Sequence, residues 1–229
     1  MIKNQSGRSM IEMLCVLAII GVLSVGGIAG YSKAMYRYKM NKTIDIFNRV
    51  LNEFVEFTSH RFDFIEIEMF SSTNYEELGM ADYLESLRKI CTDREYRDID
   101  GWEACQLPIG DIDAYVETHD TFYEGTVMGN FRGGFGVYFQ GNDQIKACVD
   151  FLSYDWVHTV PQEFWYGGDG GMIEVLTGHN DFVLYSPSPY SSYVHDIKTS
   201  YTIADVVEAC GHCTKDERCL INITFYGQP

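Results

Sequence analysis

Two groups of residues in this 229-residue chain have types and spacing suited to chemistry. The first is Cys210-Gly211-His212-Cys213, followed by Cys219. A Cys-x-x-Cys pair of this kind exchanges thiols with disulfides when a helix N-terminus lowers the pKa of its first cysteine, in a strand–helix context. Here the helical pattern precedes Cys210, and a charged turn and a strand pattern follow Cys213, so the motif sits at the wrong helix end. The same segment offers Cys210, His212, Cys213 and Cys219 to a zinc ion, but the spacing is tight, and in an exported chain such thiols oxidise to structural disulfides. Neither a metal nor a cofactor is expected.

The second group is Glu12 and its surroundings. An apolar run from Met13 to Gly30 follows this single acid, and Gly7 stands five positions before it. A carboxylate near a bilayer core costs at least a few kcal/mol, so an acid in such a place is a functional-site hypothesis by default. Cys15 lies inside the run, whereas Cys91, Cys105, Cys148, Cys210, Cys213 and Cys219 lie beyond it. An even set of cysteines outside a membrane-directing segment reads as a disulfide framework, and counting alone leaves 15 pairings open.

The remaining candidates have simpler explanations. None of the 6 histidines makes a helix-borne His-Glu-x-x-His or accompanies a nucleophile elbow. Glu66 with Glu68, and Asp111 with Asp113, read as solvated faces. Gly167-Gly168-Asp169-Gly170-Gly171 reads as a flexible loop without the Lys-Ser/Thr of a phosphate cradle. The 16 tyrosines and 14 phenylalanines read as core and subunit contacts, with an adhesive or ligand-binding surface as the alternative. No catalytic constellation emerges, and an enzyme is not expected. With 33 acidic against 17 basic residues, a net charge of -16 repels nucleic-acid backbone, so no nucleic-acid partner is expected.

The elements that must position these residues follow from periodicity. The apolar run is too long for a cleaved signal core of about 7 to 15 residues and suits a spanning helix. No proline occurs before Pro108, and helix formers continue through Lys33, Arg37, Lys39 and Lys42. Ile44, Phe47, Val50, Leu51, Phe54 and Val55 then recur three and four apart. The pattern predicts one helix from Ser9 to about His60, apolar all round in its first half, about 10–31, and amphipathic in its second. Gly26-Gly27-Ile28-Ala29-Gly30 marks a place to bend or melt, or a seam for close helix packing.

Beyond it, Thr73 and Glu76 predict a capping box for a helix over 74–90, and residues 91–108 read as a loop. Strands are expected over 121–128 and 135–140, separated by Gly129-Asn130 and Gly133-Gly134, and a helix over 143–156 capped by Asn142. Further strands are expected over 172–176, 181–185 and 220–226, with a helix capped by Thr202 and Asp205 ending near Cys210. The fold class is therefore α+β: a long N-terminal helix on an antiparallel sheet with additional helices.

Gly7, Met10, Ile11, Glu12, Met13 and Leu14, with the apolar helix behind them, resemble the N-terminus of type IV prepilins and the related pseudopilins. The order of elements beyond, with Cys148, Cys210 and the closing strand, resembles the type IVb branch. The resemblance implies a leader over residues 1–7 cut after Gly7 by a prepilin peptidase, a mature helix over 8–60, and a periplasmic or extracellular domain over 61–229. It departs at Arg8, where the family usually has a methylated phenylalanine, and at Ala29, where many pilins have proline. The implied partners are copies of itself or other pilins, the peptidase, an inner-membrane assembly platform and the lipid bilayer before assembly. The implied location is the bacterial inner membrane, then an extracellular pilus or periplasmic pseudopilus. Beside the resemblance, the expected pairing is Cys91–Cys105, Cys148–Cys210 and Cys213–Cys219, the middle bond enclosing a segment like the disulfide-bounded variable region of pilins.

Overall fold

The computed structural model describes residues 10–61, 72–73, 86, 89, 97–99, 102–123, 126–162, 165, 171–177, 181–187, 197–213 and 219–227. The first element, α1, is an unbroken helix of 52 residues, Met10–Arg61, about 78 Å long at about 1.5 Å per residue. The helix is continuous through the Gly26–Gly30 cluster. A methyl group added at Gly21, Gly26, Gly27 or Gly30 would meet nothing within 4 Å, so no packing among the described residues explains these glycines.

From Met40 onward the helix docks. Met40, Phe47, Val50, Leu51 and Phe54 are buried, along with Thr43. The Thr43 hydroxyl accepts the Ile109 backbone N–H at 3.0 Å, which ties the helix to the segment entering the sheet. Phe47 meets Phe135, Phe151 and Trp156 edge to face at 5.4, 5.3 and 4.8 Å. About two turns further along the helix, Phe54 packs on Phe135 at 5.2 Å and Phe225 at 6.0 Å. Offset aromatic contacts of this kind add about 0.5 to 1.5 kcal/mol each to simple burial.

The sheet has eight strands among the described residues: β1 (Ser72–Thr73), β2 (Arg97–Ile99), β3 (Trp102–Gln106), β4 (Asp111–Tyr123), β5 (Thr126–Phe139), β6 (Met172–Leu176), β7 (Asp181–Tyr185) and β8 (Cys219–Gly227). Their order is β2-β3-β4-β5-β8-β6-β7, with β1 on β4, and every pairing is antiparallel. The C-terminal strand β8 is thus inserted between β5 and β6. Helices α2 (Gln144–Leu152), α3 (Trp156–Thr159) and α4 (Ile203–Gly211) complete the described fold. The architecture is α+β: a long N-terminal apolar helix and an antiparallel sheet with further helices.

Several expectations change. Strands β4 and β5 form one long hairpin whose last pair is Tyr123 with Thr126, so Glu124-Gly125 joins them and Gly129-Asn130 and Gly133-Gly134 lie inside β5. A side chain at Gly133 would overlap the Phe54 ring, which explains a glycine in mid-strand: the helix approaches the backbone too closely for a Cβ. The expected loop over 91–108 holds β2 and β3, and Ile99 pairs with Trp102. Only Asp100-Gly101 separates them, a dipeptide that favours tight hairpins. The helix expected over 143–156 divides into α2 and α3, with Asp143 rather than Asn142 at its N-cap position. At the break the buried Trp156 indole donates to the Phe151 carbonyl at 2.9 Å.

Thr73 pairs with Val116 in β1. The helix expected after it lies outside the described residues except for Ser86 and Lys89, both helical. There the Glu53 carboxylate of α1 accepts the Ser86 backbone N–H at 2.9 Å and its hydroxyl at 2.7 Å. Asp111 is buried in β4, at a relative exposure of 5%, and so is not on a solvated face. Glu66, Glu68 and the loop over 167–170 lie outside the described residues.

Candidate functional site

Two parts of the molecule hold the residues singled out by type and spacing. The first is the N-terminal half of α1. Glu12 sits in its first turn and is exposed, where the positive end of the helix dipole favours an acid. Around and beyond it Met10, Leu17, Val22 and Ile28 are exposed by 83, 62, 74 and 67%, while Phe47 and Phe54 of the same helix are exposed by 1 and 0%. Large apolar side chains are exposed all round the helix from Met10 to Tyr31. Among the described residues this is the one helix long and apolar enough to cross a membrane. Cys15, within it, is a free exposed thiol. Gly7 and Arg8 lie outside the described residues.

The second part is a buried sulfur cluster. Cys148 of α2 is bonded to Cys210 of α4 at an S–S distance of 2.04 Å, and Cys213 to Cys219 at 2.05 Å. The sulfurs of Cys148, Cys213 and Cys219 all lie within 4.8 Å of one another. Three elements, α2, α4 and β8, therefore converge on one buried cluster. Cys105, in β3, is also disulfide-bonded. Cys91, its expected partner, lies outside the described residues.

This geometry answers the exchange motif directly. Cys210 and Cys213 are bonded to different partners, and Cys210 stands in the last turn of α4. A helix C-terminus disfavours a thiolate. The zinc set does not assemble as written either: the sulfur gathered with Cys213 and Cys219 belongs to Cys148, whereas the exposed His212 ring stacks on Phe182 at 4.5 Å.

The spacing of the helix caps was readable in advance for α4. The Thr202 side chain accepts the Asp205 backbone N–H, and the Asp205 carboxylate accepts the Thr202 N–H at 2.7 Å and its hydroxyl at 2.8 Å. These bonds, the backbone one foremost, hold the Asp205 carboxyl below the ordinary carboxylate range.

Sequence reading did not single out Asp155 and His158. The Nδ1 of His158 lies 2.8 and 2.9 Å from the two Asp155 oxygens. That hydrogen bond, more than any other influence, lowers the Asp155 pKa. The pair edges an open groove of about 300 Å³ beside Tyr201 and the start of α4. Burial, then the nearby Asp155 charge, pushes the Tyr201 phenol up to about 12. Asp155 also accepts the His158 backbone N–H at 3.3 Å, so the pair serves as the N-cap of α3. An Asp-x-x-His spacing before a short helix was the available signal for it.

Comparison of the chain with protein-family models, characterised proteins and solved structures gives no match.

Proposed function

We propose that this chain is a structural subunit of a type IV pilus or pilus-like filament, cut after Gly7 and assembled through α1. One observation supports the reading above the others: a single helix has an apolar half whose large side chains are exposed all round, one acid in its first turn, and a second half docked on a disulfide-braced domain. Such a half-helix is suited first to a bilayer and then to a bundle of identical helices. In the bundle, packing between small residues such as Gly26, Gly27 and Gly30 would let backbones approach.

Glu12 has a defined role in this reading. Cleavage creates an α-amine at Arg8, and the carboxylate of one subunit pairs with the amine of its neighbour in an apolar surrounding. A buried ion pair of this kind sets axial register more than it adds stability. Removing one partner of a buried pair costs about 3 to 5 kcal/mol. Glu12→Gln is therefore expected to lower recovery of the subunit in sheared filaments at least about tenfold, with normal amounts in the membrane. Recovery equal to the unsubstituted chain would remove the role.

The reading as a whole is tested by mass spectrometry of the mature N-terminus, with and without the peptidase. A chain beginning at Arg8 only when the peptidase is present supports it. A chain retaining Met1 to Gly7 in both cases identifies a membrane-tethered exported domain instead. Abundance in sheared filaments separates a major subunit from a minor pilin or secretion pseudopilin.

A further inference from the structure

The segment between the apolar half of α1 and its docked half has an unusual charge pattern. Of the 33 acidic residues, all but Glu12 lie from Asp45 onward. Between those two acids the only charged side chains are Lys33, Arg37, Lys39 and Lys42. All four are exposed, and none forms an ion pair among the described residues. Tyr31 and Tyr38 beside them are also exposed, by 67 and 61%. Cations and tyrosines next to an apolar helix are the composition of a membrane–water interface.

We propose that Lys33, Arg37, Lys39 and Lys42 form a basic collar that binds anionic phospholipid headgroups where α1 leaves the bilayer. The helical positions favour a lipid surface over a protein partner. At about 100° per residue, Lys33 and Arg37 share one side of the helix, while Lys39 and Lys42 lie about half a turn away. A protein partner meets one face, whereas a headgroup layer surrounds the helix. Met40 and Thr43 are already buried against the domain at this height, so the collar lies where the fold begins. The four residues span about 14 Å of helix, and long basic side chains extend along it to reach a common plane.

The collar has no evident task in setting topology. On the function proposed above it lies on the non-cytoplasmic side with the disulfide-bonded domain, and the positive-inside bias places orienting cations on the opposite side. The inference rests on the membrane-spanning part of that reading, and its test reports on the two separately.

The full chain is reconstituted into vesicles of phosphatidylcholine with about one-third phosphatidylglycerol, carrying a trace of one or the other lipid in spin-labelled form. Electron paramagnetic resonance then measures the fraction of each label held motionally restricted by the protein. At low salt the restricted fraction of phosphatidylglycerol is expected to exceed that of phosphatidylcholine about threefold. High salt and the variant K33Q/R37Q/K39Q/K42Q are each expected to bring the ratio near unity, while K33R/K39R/K42R retains it. The substituted sites are exposed, and glutamine is as good a helix former as lysine. Equal restriction of both lipids by the unsubstituted chain, or a preference that survives the glutamine substitutions, would overturn the collar alone. Restriction of neither label would overturn membrane insertion and the collar together.

Discussion

The two halves of α1 share one backbone geometry and differ in where their side chains go. The first half is apolar on every side and exposed throughout, whereas the second half is apolar on one side and that side is closed by Phe135, Phe151, Trp156 and Phe225. Helix formation alone does not distinguish them. What distinguishes them is whether the chain supplies its own partner for the apolar surface. For the docked half it does. For the other half an apolar surface extending over about 20 residues is exposed among the described residues, whereas soluble monomers rarely expose contiguous patches beyond a few hundred Å².

The strongest way to break this contrast is to truncate one side chain in each half. Phe54→Ala empties a site exposed by 0% and is expected to cost about 3 to 5 kcal/mol in denaturant unfolding of the domain in detergent. Leu17→Ala is expected to change the same measurement by less than about 0.5 kcal/mol, since its site is exposed by 62%. A comparable loss from both would show that the apolar half packs within its own chain after all.

The disulfides sharpen the second term of the comparison. The bond between Cys148 and Cys210 spans a sequence separation of 62, and that between Cys213 and Cys219 a separation of 6. Loop-closure entropy predicts about 4 kcal/mol for the first and about 2 kcal/mol for the second. Paired alanine substitutions, followed by denaturant unfolding, measure both. Equal losses would mean that strain or packing at the shared cluster, rather than loop length, governs their contribution.

A smaller effect concerns α4, whose capping box fixes the element holding Cys210. Thr202→Ala is expected to destabilise the domain by about 1 kcal/mol at neutral pH. The folded-state pKa of Asp205 is lowered from 3.8, chiefly by the backbone bond with Thr202. Its contribution is therefore present above the unfolded value and lost as pH falls through the lower folded value. Thermal unfolding followed down to about pH 2 should show this acid limb flattened in Asp205→Asn, which removes the titrating carboxyl, whereas Thr202→Ala keeps the backbone donor. An unchanged limb would assign the pH dependence to other carboxylates.

Much of this protein was legible wherever a local rule sufficed. The long helix follows from periodicity and from the absence of proline before Pro108; β6 and β7 span the residues expected from the short apolar runs on either side of Gly178-His179-Asn180. The Thr202–Asp205 box marks the start of α4, and Glu12 is conspicuous because an acid against an apolar run needs no partner to be noticed. The misreadings arose where a residue answers to something distant in sequence. Gly133 resembles a turn residue, yet it sits in mid-strand because Phe54, about 80 positions earlier, leaves no room for a Cβ. Asp111 resembles a surface acid, yet the strand containing it turns it inward.

The sulfur cluster marks the same boundary between local and distant information. Composition alone determined that an even set of cysteines lay beyond the apolar run, and the position of Cys210 after a helical pattern already argued against exchange chemistry. Which sulfurs share a site is decided by the insertion of β8 between β5 and β6 and by the face on which α2 meets α4. Those are packing outcomes among elements far apart in the chain, and no spacing rule encodes them. The apolar half of α1 is the opposite case: its character is complete in the sequence, because composition alone makes it apolar on every side.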